Sequence, residues 1–215
     1  MSMHLYAFGS ICRGDLDQLS DVDLLALIDK PDDRLDSNKF SIYSYKRIKE
    51  LWYAGNPFAW HLWAEGRLLF ASDKTDFLKN LGEPLKYNDV LKDCEKFLAL
   101  FNYSVNALIS GSCSRVFEIS NIFLAVRNFA TCFALGNLGQ LEFSRFSALK
   151  LGSRALLIDH DVFSIMQRAR ILSTRGIGEV VVEQDVIQVI ETIPVIREWM
   201  SKIIEELTCT SSTIE

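Results

Sequence analysis

The sequence predicts an α+β fold, with a mixed sheet and flanking helices at the N-terminus followed by an α-helical bundle. Three observations carry this. Short apolar runs bounded by Gly, Pro, Asn and Asp crowd the first third of the chain. Past Gly82-Glu83-Pro84 the apolar residues recur at helical spacing instead. The 215 residues are 49% apolar, enough core for one large domain or two small ones. The expected division is a head over 1–84, a helical domain over 85–207 and a frayed polar tail over 208–215.

Each element has its own signal. Residues 3–8 read as the opening strand, followed at once by Gly9-Ser10. Residues 22–28 are a second strand, apolar except for Asp23, and Pro31-Asp32-Asp33 turns the chain after it. Residues 40–45 alternate weakly and read as a third strand. Residues 46–54 suit a short helix that Gly55-Asn56-Pro57 stops. Residues 61–64 and 67–70 flank Glu65-Gly66, the pattern of a hairpin or a bulged strand. Helices are then expected over 88–109, 114–135, 144–157, 160–172 and 183–207, with a loop at 174–178. In the second of these, Val116, Ile119, Phe123, Val126, Ala130 and Phe133 fall on one face. Ser112 and Ser114 are its candidate N-caps, and Gly136 and Gly139 mark its end.

Charge and composition exclude several classes. The net charge of -5 gives no general basic surface for nucleic acid. No uncharged apolar run reaches the ~18 residues of a membrane span. The N-terminus lacks the basic and apolar regions of a signal peptide, so the expected setting is the cytoplasm. The five cysteines are scattered without a CxxC pair, as reduced thiols would be, and the three histidines are isolated, which argues against zinc.

Residues 7–26 carry the chemistry: a strand, Gly9-Ser10, a short polar connection, then Ser20-Asp21-Val22-Asp23 entering an apolar strand. In a strand, positions two apart point the same way, which sets the Asp21 and Asp23 carboxylates side by side. Two close carboxylates repel unless a cation sits between them. Magnesium suits such a pair, because it takes few protein oxygens and completes its shell with water and phosphate. Gly9 lets the backbone approach a phosphate closely, Ser10 offers a hydroxyl and an N–H, and Arg13 adds a charge-assisted contact. An acidic turn before a buried strand would also contain Asp-x-Asp. The Gly-Ser placed about ten residues upstream makes the combination distinctive.

On Gly9, Ser10, Arg13, Gly14, Ser20, Asp21, Asp23 and Leu24, the sequence resembles the nucleotidyltransferase superfamily related to DNA polymerase β. It is most similar to its minimal and aminoglycoside nucleotidyltransferase branch. The likeness is specific over residues 5–28 and looser to about residue 72. It implies Mg2+ or Mn2+ held by Asp21 and Asp23, and a nucleoside triphosphate, with ATP the first choice, held by Gly9, Ser10, Arg13 and Ser20. The reaction implied is transfer of a nucleoside monophosphate to the hydroxyl of a small molecule, protein or RNA. The family's third carboxylate has no counterpart on the third strand, where Ser41 stands. Glu65 or Glu50 is expected to replace it, or one metal with two ligands suffices. Failing both, the alternative is a nucleotide-binding regulatory or antitoxin-like module acting through its helical domain. His61, expected on a strand, is either a structural histidine beside Trp60 and Trp63 or a general base.

The Arg127-Asn128 pair and Cys132 weakly resemble HEPN helical domains. Cys132 stands where their histidine would be, which argues against ribonuclease chemistry. Arg115, Arg127, Arg145, Arg168, Arg170 and Arg175 are read as solvated, or as supplying one or two residues, Arg127 first, to a cleft between head and helical domain that contacts nucleotide phosphates or an acidic partner. The apolar helical domain is the expected surface for a homodimer.

Overall fold

The computed structural model describes residues 2–15 and 22–211. They form two compact units, residues 1–88 and 89–215. The first contains β1 (Met3–Phe8), α1 (Ser10–Arg13), β2 (Asp23–Ile28), β3 (Phe40–Tyr43), α2 (Tyr45–Tyr53), α3 (Pro57–Glu65), β4 (Arg67–Ala71) and α4 (Phe77–Leu81). The second contains α5 (Val90–Ile109), α6 (Arg115–Asn137), α7 (His160–Arg175) and α8 (Glu183–Ser211). This is the expected α+β architecture, a mixed sheet with helices and then a helical bundle.

The sheet runs β3-β2-β1-β4. β1 is antiparallel to both β2 and β4, while β2 and β3 are parallel. The continuous burial of Leu25, Ala26, Leu27 and Ile28 fits a central strand covered on both faces. Leu25 and Leu27, two apart, join Tyr6 and Phe8 of β1 in one core, closed by Ile48, Leu51 and Trp52 of α2 and by Ala59 and Leu62 of α3. The polar tips of its large aromatics are satisfied. Tyr6 donates its hydroxyl to Asp76 Oδ1 at 3.0 Å and accepts from the Leu78 N–H, and Trp52 Nε1 donates to the Gly82 carbonyl.

Two of the expected elements differ. Residues 61–64 are not a strand or the arm of a hairpin. They lie in α3, so His61 sits on a helix. Asn56 accepts the Phe58 N–H through its side chain and Pro57 occupies the first turn, a start signal that outweighs the weak alternation downstream. β3 likewise ends at Tyr43, because Ser44 turns to cap α2 through the Arg47 N–H.

In the second unit α6 is the central helix, packed by α5, α7 and α8. Burial extends around it: Ile119, Ile122, Phe123, Val126, Phe129, Ala130 and Phe133 are all enclosed, which is wider than the single face read from sequence. By length and composition α6 could cross a membrane, but 61% of its most apolar window is buried inside the protein, as in a core helix. Residues 144–157 do not form the expected α-helix. They make two 3-10 turns, Ser147–Leu149 and Gly152–Arg154. Serine competes for backbone here: Ser144 Oγ accepts the Phe146 N–H, and Ser147 Oγ donates to the Arg127 carbonyl. Helix α7 continues to Arg175, into the expected loop, before Gly176 ends it in the left-handed conformation. α8 extends to Ser211, four residues into the segment read as tail.

Candidate active site

The site begins where β1 ends. Gly9 adopts φ 77° and ψ -149°, a conformation closed to other residues. Asp23 opens β2 and is paired in register with Phe8, so its side chain falls across this turn. A Cβ placed on Gly9 would lie 2.1 Å from Asp23 Oδ2. The strand pairing thus brings together two of the residues singled out in the sequence, and the glycine is what makes room for the carboxylate. Ser10 follows as the buried first residue of α1. Gly14, also left-handed at φ 79°, ends that helix immediately after Arg13. Ser20 and Asp21 lie outside the described residues, as does the orientation of Asp21 relative to Asp23.

Arg13 and Glu65 meet although 52 positions separate them: Arg13 Nη1 donates to Glu65 Oε2 at 2.5 Å. Arg13 Nε donates to Asp15 Oδ2 at 3.0 Å. His61 lies one helical turn before Glu65, and its Nε2 is 2.8 Å from the same Oε2. A carboxylate only accepts, so Nε2 carries the proton of this bond. The His61 ring stands edge-on to Phe8, with centroids 5.4 Å apart. Glu65 is only 6% exposed. Burial alone would raise its pKa, but the bonds from His61 and Arg13 outweigh that and hold the carboxyl below its ordinary value. Nearby, burial raises the Cys12 thiol pKa, and the charges of Arg67, Glu65, Arg13 and Asp23 all act on that thiol. These groups therefore share one neighbourhood at the end of β1.

Asp23 also lines a cleft of about 420 Å³ together with Val22, Leu24 and residues 37–41. Ser41 faces this cleft from β3, in register with Leu25. Glu50, the other expected substitute for the third acid, is exposed on α2 and paired with Arg47 at 3.1 Å. Among the described residues, no group of three or more His, Cys, Asp or Glu side chains is arranged to hold a metal. Asp23 supplies a hard oxygen donor of the kind magnesium takes.

The sequence reading did not single out Lys39 and Arg67. Lys39 is among the residues lining the cleft, with its ammonium 4.0 Å from Asp36 Oδ2, and Arg67 pairs with Ala7 at the start of β4. Neither belongs to a motif, and only the sheet topology places them.

In the second unit the arginines have local partners. Arg127 donates to the Phe143 carbonyl at 3.0 Å, Arg115 pairs with Glu183, and Arg168 pairs with Asp185 and Glu179. Arg170 Nη1 is 3.4 Å from Ser120 Oγ. Cys132 is buried in the core.

Residues 3–97 match the nucleotidyltransferase domain family. The N-terminal unit is a nucleotidyltransferase domain. The match covers all four strands of the sheet and continues into α5. No curated protein and no solved structure gives a significant match to the chain. Within the nucleotidyltransferase domain, the turn after β1, the carboxylate opening β2 and the acid ending α3 are each set by backbone pairing or helix phase.

Proposed function

We propose that the protein is a magnesium-dependent nucleotidyltransferase that moves a nucleoside monophosphate, AMP by preference, from a nucleoside triphosphate to an acceptor hydroxyl. The observation that carries this reading is the Asp23 carboxylate lying against the Gly9 turn inside a nucleotidyltransferase domain. Asp23, with Asp21, would hold the metal, which would neutralise phosphate charge and lower the pKa of the attacking hydroxyl. Gly9, Ser10, Arg13 and Ser20 would hold the triphosphate. The acceptor oxygen attacks the α-phosphorus, the bond to the α–β bridging oxygen breaks, pyrophosphate leaves, and the hydroxyl proton passes to solvent or a nearby base. The cleft that Asp23 lines would admit the acceptor, since it brings open space to a residue proposed to hold the metal. The reading implies a cytoplasmic setting, where triphosphates and magnesium are at hand.

The test is incubation with magnesium and each labelled triphosphate, scored by pyrophosphate release and by label transferred to the protein or an added acceptor. Asp23→Ala is expected to lower transfer by roughly a thousandfold or more while leaving the fold intact. Survival of the activity in that variant would put the chemistry elsewhere.

Ser41 on β3, in place of an acid, favours a second reading, a regulatory module that binds nucleotide and acts through protein contacts of its helical unit. Calorimetry separates the two. Micromolar binding of ATP with magnesium, and no turnover with any acceptor, would support the module.

A further inference from the structure

Glu65 is placed against its own local electrostatics. It ends α3, where the helix dipole disfavours an anion, and it is buried, where an unpaired carboxylate is costly. Both penalties are offset by Arg13 and His61, which converge on one oxygen of that carboxylate. Each partner leads back to the Gly9–Ser10 turn. Arg13 ends the helix that begins at Ser10, and His61 packs edge-on against Phe8, the residue before Gly9. A guanidinium is a planar fork, so the bonds from Nη1 to Glu65 and from Nε to Asp15 fix the direction of its other N–H groups.

We propose that Glu65 is a positioning residue for the triphosphate, aiming the Arg13 guanidinium beside the Gly9–Ser10 turn, and not the third metal-binding carboxylate. This rests on the nucleotidyltransferase reading above. A carboxylate whose one oxygen already takes two N–H donors, one of them from a guanidinium, is a poor further ligand for a divalent ion. The same two bonds make it a good anchor.

The experiment measures three quantities on the full-length chain and its variants: ATP affinity by calorimetry with magnesium, the Mn2+ concentration giving half-maximal transfer, and the melting temperature. Glu65→Gln keeps the shape of the side chain and removes its charge. It is expected to weaken ATP binding roughly tenfold, the worth of one charge-assisted contact, with the Mn2+ midpoint unchanged. In an Arg13→Gln background, adding Glu65→Gln should weaken binding less than about twofold further, because the guanidinium it aims is gone. Should Glu65→Gln fail to fold, Arg13→Gln alone carries the test, with weaker ATP binding at an unchanged Mn2+ midpoint as the supporting result. A raised Mn2+ midpoint with ATP affinity intact overturns the proposal in favour of a ligand role. A lower melting temperature with ATP affinity intact overturns it in favour of a purely structural one. A wild-type chain that neither binds ATP nor transfers label overturns the nucleotidyltransferase reading itself, and this inference with it. A wild type that binds ATP, with variants that bind it equally well, overturns this inference alone.

Discussion

At Gly9 the physical demand of the site falls on a single atom. Alanine there meets two obstacles, a positive φ and an Asp23 oxygen 2.1 Å from where its Cβ would stand. Relaxing the first means rebuilding the turn, and relaxing the second means displacing the carboxylate proposed to hold the metal. Gly9→Ala is therefore expected to destabilise the domain by about 1–3 kcal/mol in urea titration and to depress transfer beyond what the stability loss explains. Wild-type activity in a stable Gly9→Ala protein would show that the Asp23 position is not needed for the chemistry.

Glu65 makes a second residue-scale prediction, through pH. Its folded pKa lies below its ordinary value, so its bonds from Arg13 and His61 contribute fully above the ordinary carboxylate range, about pH 4.3. That contribution is lost as the pH falls through the lowered folded value. The stability difference between wild type and Glu65→Gln should thus be largest near neutrality and shrink on acidification below about pH 4. Taking the difference between the two proteins cancels the other carboxylates, and a gap that stays constant across that range would mean the pairing contributes nothing.

At the scale of elements, chain entry decides more than side-chain pattern. α3 begins because Asn56 accepts the Phe58 N–H at 2.9 Å and Pro57 presets the first helical φ. Asn56→Ala is expected to cost about 1 kcal/mol in denaturant titration, and any loosening of α3 should reach His61 and Glu65 on its last turns. No measurable loss would mean that packing of Ala59 and Leu62 alone holds the helix. The same element shows why part of the site was hard to read from sequence. β1 and β2 were legible as strands, because short apolar runs bounded by turn residues mark them, whereas the antiparallel pairing that sets Asp23 against Gly9 was not. The helix carrying His61 and Glu65 was read as strand, since nine residues hold too few turns for periodicity to outweigh Glu65-Gly66 as a turn signal. Residues 144–157 misled in the opposite way. Their apolar spacing is helical, but Ser144 and Ser147 spend their hydroxyls on backbone groups and break the run. The Arg13–Glu65 bond spans 52 positions, and no local pattern reports it.

Across the whole molecule, the candidate nucleotide site and the largest helical core fall in different units. The Gly9 turn, Asp23, Arg13 and Glu65 all lie within residues 1–88, whereas Phe129 and Phe133 of α6 are wholly buried within residues 89–215. The order of a mixed sheet followed by a helical bundle was legible, because strand spacing gives way to helical spacing along the chain. What α6 packs against was not legible, since an apolar stripe does not name its neighbours. Phe133→Ala removes most of a fully enclosed ring and should cost about 3–5 kcal/mol of stability, read as a lower denaturant midpoint. If the triphosphate is bound by the N-terminal unit alone, ATP affinity of the folded variant should match the wild type within about twofold, since the substitution changes no residue of that unit. A matched fall in affinity and stability, measured where the protein is still folded, would contradict a nucleotide site confined to the nucleotidyltransferase domain.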